Sequence, residues 1–387
     1  MSELPTIVGN LDAENELLRR VRPRAPALPA PLRGRLAAAA TLLRVLARDG
    51  DRLWTPQPVP RARVLAAEGL ARVELVSGAL GPGPRLAWCA TPAALDGALP
   101  DPSPAPRGDA WLDLLWGTAP PAAADVVARV VDRRFAWRLA QELGVALPGS
   151  RPITSLGALR VHLRGQRPDA PWVLKPCFSA AGRGQWHGAG LAALDDEARA
   201  RGLERVFFEQ GTLLYEPRCE RVADFGACAF VDARGAVAWW GAHRLLVDRL
   251  GHFLGVVVGA ESAGGAACAV VGLRPDEDAR LREVVEAVGR RLAREGYRGA
   301  FGIDAWRYVV DGAERFHPFG ELNPRLGFGL VAHLLARRVA AVAGTGGVAL
   351  RFGTAARGLP PRGDGVVPLL APGTDDDTVA WLEPAQA

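Results

Sequence analysis

Between residues 301 and 325 the chain reads FGIDAWRYVVDGAERFHPFGELNPR, and its polar residues are spaced as if for work. Asp311-Gly312 between apolar-rich runs is a favourable two-residue hairpin turn. Pairing Val310 with Ala313 sets Asp304 opposite Phe319. Side chains alternate along a strand, so Asp304, Glu321 and Asn323 then project from one face. Diagonal cross-strand neighbours lie about 7–8 Å apart, close enough for two carboxylates to share cations. Two acids and an amide oxygen form an oxygen-only donor set, which suits Mg²⁺ or Mn²⁺ and not zinc. The same residues also fit an ordinary polar strand face, and a bulge at His317-Pro318 would break the parity.

Lys175 is the second signal. It is the single lysine beside 46 arginines. It ends the strand-like Trp172-Val173-Leu174-Lys175-Pro176 and precedes a Gly-rich loop, Ser179 to Gln185. An ammonium there can neutralise phosphate oxygens while glycines let the backbone approach closely. The loop is not a Walker motif, because GxxxxGK[ST] is absent. Asn is equally scarce, at positions 10, 15 and 323 only. Such depletion reads as GC-rich bias, which draws attention to the survivors. A third signal is Leu214-Tyr215-Glu216-Pro217-Arg218, an apolar strand ending in an acid and a proline, with Asp224 eight residues beyond Glu216.

These residues need elements to hold them. Thr6-Ile7-Val8 reads as a short strand, and the following helix has Asp12 and Glu14 early and Arg19 and Arg20 late, matching the helix dipole. Residues 21–35 read as an irregular crossing, and the Pro-rich 100–107 as a surface loop or boundary. A helix is expected over 125–143, capped by Gly144. From 206 onward, apolar runs alternating with glycines suggest antiparallel sheet. Phe253 to Leu273, interrupted by Glu261 and five glycines, reads as two strands joined by a turn rather than a membrane span. Pro275 to Glu295 is the clearest helix, with Leu281, Val284, Val285, Val288 and Leu292 on one face. Another helix is expected near 328–343, then a tail of short strands with an acidic Asp375-Asp376-Asp377.

Composition narrows the classes. The chain has 387 residues, 49% hydrophobic and 23% charged, which excludes disorder and suggests more than one lobe. Five scattered cysteines form no CxxC pair, so zinc ribbons and thioredoxin-type sites are excluded, and free thiols fit a reducing cytoplasm. The net charge of +5 comes from interspersed Arg, not from clusters, which favours small anions over nucleic acid. No membrane segment is expected. The six histidines show no ligand spacing, and Trp54, Trp88, Trp111 and Trp116 read as core or interface.

In their order and spacing, the three signals resemble the ATP-grasp superfamily over roughly residues 125–345. The resemblance is carried by VVDRRFAWRLAQELGVALPGS, WVLKPCFSAAGRGQ, LLYEPRCERVADFG, GYRGAFGIDAWRY and FGELNPRLGFG. It implies an α/β (α+β) fold, a core of two α+β lobes gripping ATP behind a small N-terminal α/β lobe. The implied divisions are 1–120 for that lobe, 121–215 for the small lobe with its linker helix, 216–345 for the large lobe with the metal hairpin, and 346–387 for a tail on the core. Lys175 would contact the α/β-phosphates, and Ser179, Gly182 and Gly184 would belong to the closing loop. Glu216, Pro217, Arg218 and Cys219 would form a hinge whose backbone reads adenine, with Asp224 a ribose or hinge acceptor. Asp304, Glu321 and Asn323 would hold one or two Mg²⁺, and Arg325 would face the transferred phosphoryl. A lysine common in the preceding helix is replaced here by Arg133 or Arg134, with Arg134 favoured. Arg183, Arg244 and Arg249 are candidates for substrate contacts. The implied activity is an ATP- and Mg²⁺-dependent carboxylate–amine ligase acting through an acyl phosphate on an amino acid or peptide. A phosphotransferase or a non-catalytic nucleotide-binding protein are the alternatives. A homodimer is within expectation, since ligases of this fold are often dimers.

Overall fold

The computed structural model describes residues 4–99, 109–117, 122–249, 251–259, 269–339, 341–342, 346–354, 360–361, 363–373 and 378–385. The Pro-rich 100–107 stretch, the Glu261-Ser262 turn and Asp375 to Asp377 lie outside the described residues. Three sheets organise the chain. The first is parallel, in the order β3-β2-β1-β4-β5, from Thr6–Val8 (β1), Arg52–Trp54 (β2), Glu74–Val76 (β3), Gly83–Ala87 (β4) and Ala98–Leu99 (β5). Its central strand is apolar, and Ile7 and Val8 are fully buried. Ligands of open parallel sheets collect where the strands end. Here the segments after β1 and β4 carry Leu11 and Trp88. The helix Ala30–Ala40 begins inside the segment expected to be irregular, with Pro31 in its first turn.

The second sheet is antiparallel, in the order β6-β9-β7-β8, from Arg151–Ile153 (β6), Pro171–Pro176 (β7), Trp186–Ala189 (β8) and Leu213–Pro217 (β9). Helices Leu156–Arg164 and Glu197–Gln210 share its apolar core, in which Leu159, Trp172, Leu174 and Leu203 are fully buried. The expected helix over 125–143 is two helices, Ala124–Val131 and Arg133–Glu142. Asp132 breaks the run, with φ −63° and ψ 120°, because its carboxylate caps the second helix by accepting from the Arg134 amide. Gly144 ends that helix at φ +67°, a conformation that glycine adopts without strain.

The third sheet has eight antiparallel strands in the order β14-β13-β10-β11-β12-β15-β17-β16. They are Glu220–Val231 (β10), Val237–Val247 (β11), Phe253–Gly259 (β12), Gly299–Val310 (β13), Ala313–Asn323 (β14), Gly347–Thr354 (β15), Val367–Leu370 (β16) and Thr378–Pro384 (β17). The C-terminal segment thus supplies three strands of the main sheet. Helix Pro275–Arg294 buries the expected stripe from Leu281 to Leu292, and helix Phe328–Arg338 packs nearby. The expected second strand before Leu273 does not form at its described end, because 269–271 is helical. The tight Val258–Gly259 edge instead pairs with Val348 and Gly347 of the tail.

The hairpin turns at Asp311 and Gly312, both at positive φ, with Val310 opposite Ala313. Beyond Trp306, opposite His317, the register slips, and Asp304 faces Glu321 instead of Phe319. Two extra residues of β14 are taken up in a bulge around Pro318, which has no amide hydrogen to give to the ladder. Because the slip is an even number, Asp304, Glu321 and Asn323 keep a common face.

Candidate active site

Asp304, Glu321 and Asn323 line a cavity of about 820 Å³ between the second and third sheets, with Leu11 and Trp88 reaching it from the N-terminal lobe. Burial first, and then the facing Glu321 carboxylate, push Asp304 up to about 7. Among the described residues no three His, Cys, Asp or Glu side chains are placed to share a metal, so a cation beside Asp304 and Glu321 would need the Asn323 amide oxygen as a third donor. The donor set fits a hard divalent cation. Glu321 and Asn323 each have one oxygen held by an arginine, Arg133 Nη2 at 2.6 Å and Arg325 Nη2 at 3.1 Å, which orients the set.

Lys175 comes from the end of β7 and is 4% exposed. Its Nζ lies 2.5 Å from Glu216 Oε2 and 5.6 Å from the Trp306 ring centroid. The β7–β9 pairing brings these residues together, with Glu216 opposite Val173 and Leu214 opposite Lys175. Glu216 therefore presents its side chain to the lysine. Pro217, Arg218 and Cys219, which connect the second sheet to the third, line the cavity with Glu216. Asp224 lines it too and accepts from Arg221 Nη1 at 2.7 Å.

The loop after β7 presents Ala180 to Arg183 and Gln185 to the cavity. Gly182, at φ +72°, sits so near the 251–252 turn that an added Cβ would lie 3.2 Å from the Gly251 carbonyl oxygen. Ser179 and Gly184 do not face the cavity. Ser179 Oγ accepts from Arg133 Nη1 at 2.7 Å, and Gly184 packs on Pro176. The favoured Arg134 is a correction as well. It turns away and pairs with Asp132, its own helix cap, whereas Arg133 is buried and bridges Pro176, Ser179 and Glu321. Adjacent helical residues point about 100° apart, so only one can reach the site. Arg244 is exposed and does not line the cavity, because strand alternation gives that face to its neighbours His243 and Leu245. Arg249 and Arg183 do line it.

Arg325 donates Nε to Glu14 Oε1 at 2.7 Å and Nη2 to Asn323, and its guanidinium carbon lies 5.1 Å from the Trp88 ring centroid. Glu14 and His243 are not singled out by the sequence, since the helix dipole already accounts for Glu14. Trp88, expected as core or interface, is buried in the core and lines the cavity as well. His243 is buried, and burial pulls it down to about 3, so it is neutral. Its ring fills the space left by two glycines. A Cβ on Gly226 would lie 2.3 Å from the ring, and one on Gly329 would lie 2.2 Å from it. The nearest sequence signal for it was that pair of glycines.

This clamp of two antiparallel sheets closing on a cavity, behind a parallel-sheet lobe, recurs in solved structures. N5-carboxyaminoimidazole ribonucleotide synthetase from Thermus thermophilus matches with TM-score 0.51 at 15% identity, over 99% of this chain and 93% of that one. N5-carboxyaminoimidazole synthetase from Staphylococcus aureus, complexed with ADP, matches with TM-score 0.52 at 9% identity over the same shares, 99% and 93%. Biotin carboxylase from Campylobacter jejuni aligns over 68% of this chain, which spans 64% of that one, at TM-score 0.49 and 16% identity. No family model matches the sequence, and a search of curated proteins finds no relative. The chain has the ATP-grasp fold.

Proposed function

We propose that this protein is an ATP- and Mg²⁺-dependent ligase that activates a carboxylate as an acyl phosphate and joins it to an amine, releasing ADP and phosphate. One observation carries the reading: Asp304, Glu321 and Asn323 stand in one cavity with Lys175 and Arg325. Carboxylate and triphosphate are both anions, so bringing them together requires cations from the protein and a divalent ion. Asp304, Glu321 and Asn323 would hold Mg²⁺, which lowers the cost of negative charge on the transferring phosphoryl. Lys175, held by Glu216, would neutralise phosphate oxygens, and of the two helix arginines Arg133, not the favoured Arg134, would act on the site through its bond to Glu321. The connection 216–219 would read the adenine, and Asp224 a ribose hydroxyl. The loop after β7, which lines the cavity with Ala180 to Arg183 and Gln185, would close over the nucleotide and exclude water, which matters because an acyl phosphate hydrolyses readily. Arg325 and Arg183 would receive the acid, with Arg249 a further contact at the rim. Amino acids and peptides remain the proposed substrates, a homodimer the proposed assembly and the cytoplasm the proposed compartment. Among the described residues no helix is long and apolar enough to cross a membrane.

A screen of phosphate release from Mg-ATP against pooled amino acids and dipeptides, with mass detection, tests the reading. ADP and a condensed product are expected, and Glu321→Ala should abolish turnover while the protein stays folded. Release of AMP, or a fully active Glu321→Ala protein, would falsify the assignment.

A further inference from the structure

Beyond the metal donors and away from the 216–219 connection, the cavity changes character. Leu11, Leu36, Trp88, Phe253 and Phe328 form its wall there. Phe328 lies 5.1 Å from Trp88 and 5.8 Å from Phe253 between ring centroids, and Phe352 backs it at 4.8 Å. Phe253 and Phe328 are only half-buried, so apolar ring surface faces the cavity. At the border of this wall stand two guanidiniums. Arg325 lies against Trp88 and is already paired with Glu14. Arg183 lines the same cavity, and its charge is felt by Glu14 and Asp12 without a direct hydrogen bond to either among the described residues.

We infer that the acid activated here carries an aromatic or branched aliphatic side chain, with its carboxylate toward Arg183 and Arg325 and its side chain against Trp88, Phe253 and Phe328. A polar side chain would lose its water against these rings without gaining partners, whereas an apolar one removes both surfaces from water. Arg183, whose guanidinium has no direct hydrogen-bond partner among the described residues, supplies charge complementarity to the head group. The inference rests on the ligase reading above and narrows its substrate.

Hydroxylamine serves as the amine, so the natural acceptor need not be known. The acid's oxygen attacks the γ-phosphorus and the bond to ADP breaks. Hydroxylamine nitrogen then attacks the acyl carbon, phosphate leaves, and the nitrogen gives its proton to water, forming a hydroxamate. Purified protein with Mg-ATP and hydroxylamine is offered 3-phenylpropionate, L-phenylalanine and L-leucine in parallel with bicarbonate, L-glutamate and L-serine. Hydroxamate and ADP are measured. At least tenfold higher kcat/KM for an apolar acid is expected over every polar one. Phe328→Ala should raise KM for that acid about tenfold or more with KM for ATP unchanged, and Phe328→Leu should restore most of it. Faster reaction with bicarbonate, glutamate or serine overturns the substrate class and leaves the ligase reading standing. Absence of hydroxamate with every acid overturns both.

Discussion

Lys175 is the residue at which the proposed nucleotide site would be most sensitive to the shape of a charge. It is buried, held at 2.5 Å by Glu216 and close to Trp306, so the space around it is set by a slim stem and a compact ammonium. A guanidinium is broad and planar. Lys175→Arg is therefore expected to weaken nucleotide binding or turnover tenfold or more, about 1.4 kcal/mol, measured by calorimetry with Mg-ATP. An exposed lysine would tolerate the change within about 0.5 kcal/mol. Asp304 gives a prediction in pH. Burial and Glu321 raise it from 3.8 to about 7, so in the metal-free protein the proton on Asp304 favours the fold, and this contribution is lost as pH rises through 7. A divalent ion must displace that proton below pH 7 and not above it. The rise in Tm on adding Mn²⁺ should be larger at pH 8 than at pH 6, and Asp304→Asn should remove the difference.

At the scale of the element, the hairpin depends on one missing side chain. A Cβ on Gly320 would lie 1.6 Å from the Trp306 ring, which the bulge folds over that position. Trp306 also stacks with Arg221, whose guanidinium carbon is 3.8 Å from its ring centroid, so it cannot swing aside cheaply. Gly320→Ala is expected to cost about 2–3 kcal/mol in urea unfolding. It should also abolish the Mn²⁺-dependent rise in Tm, because Glu321 is the next residue. An unchanged metal response would show that the bulge does not set the position of Glu321.

Across the whole molecule, the N-terminal lobe holds part of the site. Glu14 and Arg325, 311 residues apart, meet as a buried pair at 2.7 Å. Burial pushes Glu14 upward, but the Arg325 and Arg183 guanidiniums outweigh it and hold the carboxyl below its ordinary value of 4.5. A depressed acid contributes stability above its unfolded pKa and loses it as pH falls through the folded value. Glu14→Gln leaves a buried guanidinium short of its partner and should cost about 3–5 kcal/mol at pH 7. The gap from wild type, followed by denaturant titration, should close progressively below pH 4.5. A gap that does not change with pH would mean that the loss comes from packing.

Local order made much of this legible in the sequence. Strand alternation and the Asp311-Gly312 turn put Asp304, Glu321 and Asn323 on one face, and this survives the bulge because the slip is even. The periodicity of 275–295 gave its helix and its buried stripe for the same reason, since neighbours along the chain set both. What depends on side chains meeting across long separations was not legible. The sequence offers Arg133 or Arg134 and favours Arg134, and only the positions of Asp132 and of the distant Glu321 reverse that choice. Glu14 found Arg325, Trp88 met Phe328, and three C-terminal strands entered the main sheet through packing that no local pattern encodes. Chain connectivity fixes the faces of single elements, whereas burial free energy, summed over the folded molecule, decides which faces meet.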